Sequence, residues 1–504
     1  MKRTCLSILL AISSCYPVFA QQKRPNVIVI YADDLGYGDV SCYGATKIKT
    51  PHIDQLAKRG LRFTNAHATS ATCTPSRFSI LTGVYAWRKK GTGIAPGNAA
   101  LLIDTAQITL AKIFKQTGYT TAAIGKWHLG LGGKGGPDWN GEIKPGPQEL
   151  GFDKSYIIPA TLDRVPTVIV DNHHVENLDP NDPITVDYHQ KTGDWPTGKD
   201  HPELLTMKSS NGHDNTIING IGRIGYMTGG KAAIWDDYTL TEKLTKQAES
   251  FITKNKENPF FMYFASPNIH VPRTPNKMFA GKSGMGSRGD VILEFDWSVG
   301  QLMKTLDSLG LTKNTIIVLS SDNGPVVDDG YQDEAEALLG GHKPAGPLRG
   351  GKYSAFDGGT RIPFIVSWPS VVKSGTSSVL ISQVDLVKSF AGMLNQKLNT
   401  DQAYDSFDMI SQILGKSVTN RPYLVEDAAG LGIIIDNWKY IEPNNAAAYD
   451  RTTKTELGNN KEPQLYNLSV DIHENKNLAA QYPDKVKLLS EKLRQVKNEH
   501  GYHL

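Results

Sequence analysis

The segment Cys73-Thr74-Pro75-Ser76-Arg77, running on into Phe78-Ser79-Ile80-Leu81-Thr82-Gly83, puts a nucleophile and a cation four residues apart. Proline suits a first helical turn and glycine a helix end, so Cys73 is expected at a helix N-terminus, where the helix dipole attracts anions. Further candidates stand where apolar runs stop. Val27-Ile28-Val29-Ile30-Tyr31 leads into Asp33-Asp34, and the run from Thr315 to Leu319 leads into Asp322-Asn323-Gly324. Carboxyl ends of parallel strands are where open α/β sheets gather ligands, so these acids are expected to converge at one edge. Adjacent carboxylates there need a cation. The three carboxylates Asp33, Asp34 and Asp322 with the Asn323 amide form a hard, all-oxygen set, suited to Ca²⁺ or Mg²⁺ rather than zinc. Either pair taken alone reads as ordinary turn residues.

With its Leu-Thr-Gly extension, the Cys73-x-Pro75-x-Arg77 pattern resembles the signature of the type I sulfatases, the arylsulfatase A-like branch of the alkaline phosphatase superfamily. Matching blocks run from about Pro25 to Ala479. They are Pro25-Asn26-Val27 through Asp33-Asp34-Leu35-Gly36, Gly125-Lys126-Trp127-His128-Leu129-Gly130, and His270 within Asn268-Ile269-His270-Val271-Pro272. Ser320 to Gly324, Arg349-Gly350-Gly351-Lys352, Gln464 to Leu468 and Glu474 to Ala479 continue the match. Asp471-Ile472 departs from the family's Asp-Pro, outside the catalytic set. The resemblance implies that a maturation enzyme oxidises Cys73 to formylglycine, whose hydrated aldehyde is the nucleophile.

The residue types suit that chemistry. A sulfate monoester carries a single negative charge over its free oxygens, which Arg77, Lys126 and Lys352 can hold. His270 is the candidate general acid for the leaving alcohol, and His128 the base that lets the second hydroxyl of the hydrate expel sulfate. The expected cofactor is one Ca²⁺ on Asp33, Asp34, Asp322, Asn323 and the modified Cys73. The loops Ala160 to Pro166 and Asp171 to His174 resemble those of bacterial enzymes acting on 6-sulfated N-acetylgalactosamine or galactose. Asp163, Arg164, His173 and His174 are therefore expected to bind the sugar, with exo cleavage. The competing readings are a phosphodiesterase or phosphonate hydrolase on the same scaffold, and a non-catalytic glycan-binding protein with an unmodified Cys73. A P-loop reading of Gly346 to Tyr353 fails, because Tyr353 stands where the magnesium-binding Ser or Thr belongs.

Short β-rich runs alternating with helical patterns predict an α/β fold: a large, mostly parallel sheet sandwiched by helices, alkaline phosphatase-like by the resemblance. Strands are expected at Val27 to Tyr31, Ala122 to Ile124, Phe260 to Phe264, Thr315 to Leu319 and Phe364 to Val366. Leu110, Ile113 and Phe114 mark a helix face, and Asp385 to Leu394 another helix. Residues 21–395 are expected to form the catalytic domain. Residues 396–504 are expected to form a smaller α+β subdomain with a small antiparallel sheet, closed by an amphipathic helix on Val486, Leu489, Leu493 and Val496. Residues 131–142 and 180–230 read as long loops, which usually shape binding sites.

The chain of 504 residues is 39% hydrophobic and 21% charged, a globular composition. Lys2 and Arg3 before a short apolar run and Val18-Phe19-Ala20 read as a secretory leader over residues 1–20, giving a periplasmic or secreted protein. Ile12-Ser13-Ser14-Cys15 offers a lipoprotein alternative through Cys15. No transmembrane span is expected. The formal charge of +3 falls to +1 once Lys2 and Arg3 leave, which gives no nucleic-acid footprint. The expected partners are a sulfated saccharide and the formylglycine-generating enzyme. Cys42 and Cys73 remain in an exported chain; the ordinary expectation of a disulfide gives way to free thiols, because pairing would consume the nucleophile.

Overall fold

In the strand Asn26–Ala32 (β1) all residues are apolar or small after Asn26, because its neighbours flank it on both edges and helices cover both faces. The computed structural model describes residues 24–499; the leader and Cys15 lie outside them. The other strands of the main sheet are Leu61–Phe63 (β2), Thr120–Lys126 (β3), Lys154–Ile158 (β4), Val170–Asp171 (β5), His174–Val175 (β6), Phe260–Ala265 (β7), Thr315–Ser321 (β8), Phe364–Ser367 (β9) and Gly375–Ser377 (β10). Their order in this ten-stranded sheet is β10-β2-β9-β8-β1-β7-β3-β4-β5-β6. The central run β8-β1-β7-β3-β4 is parallel throughout. β9 turns antiparallel to β8, and β5 antiparallel to β4.

Alternate residues of β1 serve opposite faces, as strand geometry requires. Val27 and Val29 join Ile113 and Phe114 of the helix Leu110–Gln116 and Leu386 and Phe390 of the helix Leu386–Met393. Ile28 and Ile30 join the helices Leu240–Lys254 and Gly286–Ser308 through Leu244, Ile252, Phe295 and Leu302. Phe114 stacks on Phe261 at 4.4 Å between ring centroids, locking the first layer. Each such buried side chain contributes on the order of 1.5–3 kcal/mol.

A second, antiparallel sheet of four strands lies between Leu424 and Asn467, backed by the helix Pro483–Asn498 through Leu489, Leu493 and Val496. It reaches the main body at several points. Asp427 exchanges backbone hydrogen bonds with Thr69 and Ala71, just ahead of Cys73. Lys439, fully buried, lies 3.0 Å from Asp357 and 3.0 Å from Glu426. Among the described residues no helix is long and apolar enough to cross a membrane.

Candidate active site

Each of the five central parallel strands hands a polar group to the same edge. Asp33 and Asp34 follow β1, His128 follows β3, Asp163 follows β4, His270 follows β7, and Asp322 and Asn323 follow β8. Cys73 opens the helix Cys73–Thr82, all of whose residues are buried, and Thr72 offers no side-chain cap. The first N–H groups of that helix are thus left for an anion. Gly83 ends it in the left-handed region at φ 70°, with Ala403 so close that a Cβ would meet it at 2.6 Å. The Thr74 hydroxyl ties this helix to the His128 carbonyl at 3.1 Å.

Arg77 reaches Asp322 Oδ2 through Nε at 3.0 Å and Nη2 at 2.7 Å. Lys126 Nζ lies 2.6 Å from Asp33 Oδ2. Lys352 Nζ lies 2.9 Å from Asp34 Oδ2 and 2.8 Å from Asp329 Oδ2. Burial works to raise the Asp322 carboxyl, but Arg77 and Lys126 outweigh it and hold the group below the usual carboxylate range. Burial also works to lower Lys352, and is outweighed by Asp329 and Asp34, which keep it charged. Asp33 Oδ1 and Asn323 Oδ1 are buried with no hydrogen-bond partner. Unpaired buried oxygens are costly, and an oxygen-seeking cation among Asp33, Asp34, Asp322 and Asn323 is the economical way to satisfy them. The residues present fit such an ion. With Asp33 and Asp34 so engaged, Lys126 and Lys352 would each share a carboxylate with the ion, and Lys352 would keep Asp329 beside it.

The two histidines differ in which nitrogen is committed. His128 gives Nε2 to the Ala95 carbonyl at 2.9 Å, leaving Nδ1 buried and unpartnered, in the acceptor state of a neutral ring. His270 gives Nδ1 to the Val271 carbonyl at 2.7 Å, and Nε2 lies 4.0 Å from both Asp34 and Asp329. Burial first, then Lys126, holds His128 well below its ordinary value; for His270 burial and Lys352 do the same, while Asp163 and Asp329 pull upward. Cys73 and Cys42 are free thiols. Burial pushes the Cys73 thiol up despite Lys126 and Lys352, so unmodified it stays protonated and weakly nucleophilic.

Asp163 accepts from Arg164 Nη1 at 3.0 Å and from His213 Nε2 at 2.9 Å. Against burial, Arg164, His270 and His213 hold Asp163 well below the usual range, and the bond to Asp163 raises His213. Asp163 and Arg164 thus sit with the Cys73 group. His173 and His174 do not, which corrects the expectation for them. β5 and β6 fold back along β4, so Asn172 bonds Ser155 at its amino end, whereas Asp163 follows its carboxyl end. His173 instead faces Glu149 at 3.4 Å, and His174 is exposed. The group that joins Asp163 is His213, from residues 180–230, which are not the single long loop expected but carry the short strands Thr185–Asp187, Ile217–Ile218, Ile221–Gly222 and Tyr226–Thr228.

Residues 25–396 match the family model described as Sulfatase. The chain belongs to the sulfatase family. It is 57% identical over 477 residues to an N-acetylgalactosamine-6-O-sulfatase of Bacteroides thetaiotaomicron, with 94% of this chain and 93% of the relative covered. Human arylsulfatase A is 30% identical over 489 residues, covering 94% of this chain and 86% of the relative. A solved Bacteroides thetaiotaomicron structure from work on glycosaminoglycan metabolism superposes with a TM-score of 0.94 at 57% identity, covering 95% of this chain and all (100%) of that one. A phosphonate monoester hydrolase of Agrobacterium radiobacter shares the fold alone, at a TM-score of 0.57 and 18% identity over 95% of this chain and 96% of its own. This sulfatase therefore has the alkaline phosphatase-like architecture and is a sulfuric ester hydrolase.

Proposed function

We propose that the enzyme removes 6-sulfate from the terminal N-acetylgalactosamine or galactose of sulfated glycans, using a formylglycine made from Cys73 by a maturation enzyme and one Ca²⁺. Export through the leader at residues 1–20 belongs to the same reading. The observation that carries the substrate is the Asp163, Arg164 and His213 cluster, in which Arg164 lies within electrostatic reach of Cys73 and Asp163 within that of His270. A carboxylate flanked by two donors reads adjacent sugar hydroxyls, and a buried set built for an axial hydroxyl is left unpaired by an equatorial one, so discrimination is strong. The name of the relative that is 57% identical supports the same sugar.

When bound, Ca²⁺ would polarise the sulfate oxygens from Asp33, Asp34, Asp322 and Asn323. Arg77, Lys126 and Lys352 neutralise the ester, and the N-terminus of the Cys73 helix adds its N–H groups. His270 Nε2 faces the ester oxygen and, once protonated beside the bound anion, gives its proton to the departing alcohol. His128 Nδ1, with its lone pair unengaged, takes the proton that releases sulfate from the nucleophile. The test compares 6-sulfated N-acetylgalactosamine, galactose and N-acetylglucosamine with 4-sulfated N-acetylgalactosamine, on wild type and His213→Ala. Preference for the galacto 6-sulfates, lost in the variant, is expected. Preference for the gluco sugar or the 4-sulfate overturns the substrate while leaving sulfate-ester hydrolysis intact.

A further inference from the structure

Asp329 lies on the loop after β8, seven residues beyond Asp322, and its carboxylate is only 13% exposed. One oxygen takes Lys352 Nζ at 2.8 Å and lies 4.0 Å from His270 Nε2; the other accepts the Tyr353 hydroxyl at 3.1 Å. The loop is pinned by the segment that carries His213. Ser210 donates to Asp328 at 2.8 Å and to the Gly330 carbonyl at 2.9 Å, and the His213 ring lies 4.7 Å from that of Tyr331. Tyr353 holds its side chain there from the left-handed region at φ 74°, a conformation that costs energy for any residue but glycine and persists only where its surroundings enforce it. Asp34, the other partner of Lys352, belongs to the cation set. Asp329 is therefore the carboxylate that stays on the ammonium when that set is filled.

We infer that Asp329 is a specificity-determining residue that fits the sulfate pocket to a singly charged ester and disfavours the doubly charged phosphate monoester. The inference rests on the proposed reading of Lys352 as a sulfate-holding group. The shape of the two esters is nearly the same, so pocket size cannot separate them; charge can. A fixed negative charge within one side chain of the transferred group repels a dianion more than a monoanion. Part of the Lys352 charge is already taken up by Asp329, so the second charge of a phosphate is compensated less well than the first.

The experiment compares wild type, Asp329→Asn, Asp329→Glu and Lys352→Met on the sulfate and phosphate monoesters of 4-nitrophenol at pH 8. Calorimetry with inorganic phosphate adds a readout independent of turnover. Asp329→Asn is expected to raise the phosphate-to-sulfate ratio of kcat/KM by roughly tenfold to a hundredfold, as expected for one charge a few ångströms away at an intermediate effective dielectric. It should tighten phosphate binding in the same direction, while Asp329→Glu keeps the wild-type ratio. Asp329→Ser replaces the amide variant should that fail to fold. An unchanged ratio and unchanged phosphate affinity in the neutral variant, with Lys352→Met inactive on the sulfate ester, overturn the role of Asp329 alone. A Lys352→Met enzyme at the wild-type rate overturns the reading of the pocket beneath it.

Discussion

His270→Asn isolates proton transfer from everything else the ring does. The asparagine amide can still donate to the Val271 carbonyl that His270 Nδ1 meets at 2.7 Å, so the local fold keeps its hydrogen bond while Nε2 disappears. His270 is 3% exposed, which leaves bulk water no direct route to stand in as the acid. General acid catalysis spans about 10²- to 10⁴-fold, and exclusion of water places the loss on a sugar sulfate near ~10³-fold. That corresponds to about 4 kcal/mol of transition-state stabilisation. A nitrophenolate departs without help, so the loss on 4-nitrophenyl sulfate should stay within about tenfold. The assay is kcat/KM on both esters, with thermal melting to establish that the variant is folded. Equal losses on the two substrates would refute the assignment, because an acid matters in proportion to how poor its leaving group is.

Cys73→Ala should lose at least ~10⁴-fold in turnover on either ester while melting within a few degrees of wild type, since the small void costs about 1 kcal/mol; mass spectrometry of the peptide spanning the site shows whether wild type carries thiol or aldehyde. Chelation should inactivate the enzyme, with Ca²⁺ restoring it better than Zn²⁺; anomalous scattering from zinc at Asp33 and Asp322 would contradict the oxygen-donor argument. Burial pushes the Glu294 carboxyl from 4.5 up to about 8. The fold thus favours the protonated form, so this contribution is complete below the unfolded value and is lost as pH rises through the folded one. Melting curves of wild type should decline across that window, and Glu294→Gln should flatten the decline; parallel curves would remove Glu294 from the account.

Fold and chemistry were legible to different depths for physical reasons. Val27 to Tyr31 and Thr315 to Leu319 read as strands because central parallel strands are apolar on both faces, and the acids that follow them mark the carboxyl ends. The longest helix, Gly286–Ser308, left no comparable mark. Its buried face carries Arg288, Asp290, Glu294 and Asp296 among the apolar positions. Arg288 pairs with Asp39 at 2.7 Å, and Asp296 accepts the backbone N–H of Ile53 at 2.8 Å, so the charges are satisfied in three dimensions while spoiling the apolar stripe in one.

The sugar-facing groups divide along the same line. Asp163 and Arg164 follow the end of β4 by a few residues, and the resemblance of the loop Ala160 to Pro166 marks them although β4 is not among the strands the sequence predicts. His173 and His174 looked equivalent as polar residues on a following loop, but the β5–β6 hairpin reverses direction and carries them to the far end of β4. His213 completes the cluster from fifty residues along the chain. Nothing in Asn211-Gly212-His213-Asp214 has a period or a cap that would single it out. What places it is tertiary: Nδ1 bonded to the Asn211 carbonyl at 2.6 Å, the ring against Tyr331, and Nε2 on Asp163. Strand ends can build the part of the pocket that handles the sulfate, because that part needs only rigid positions. The part that chooses the sugar is assembled from loops whose mutual contacts exist only after folding, which is why chemistry is read from this sequence more readily than substrate.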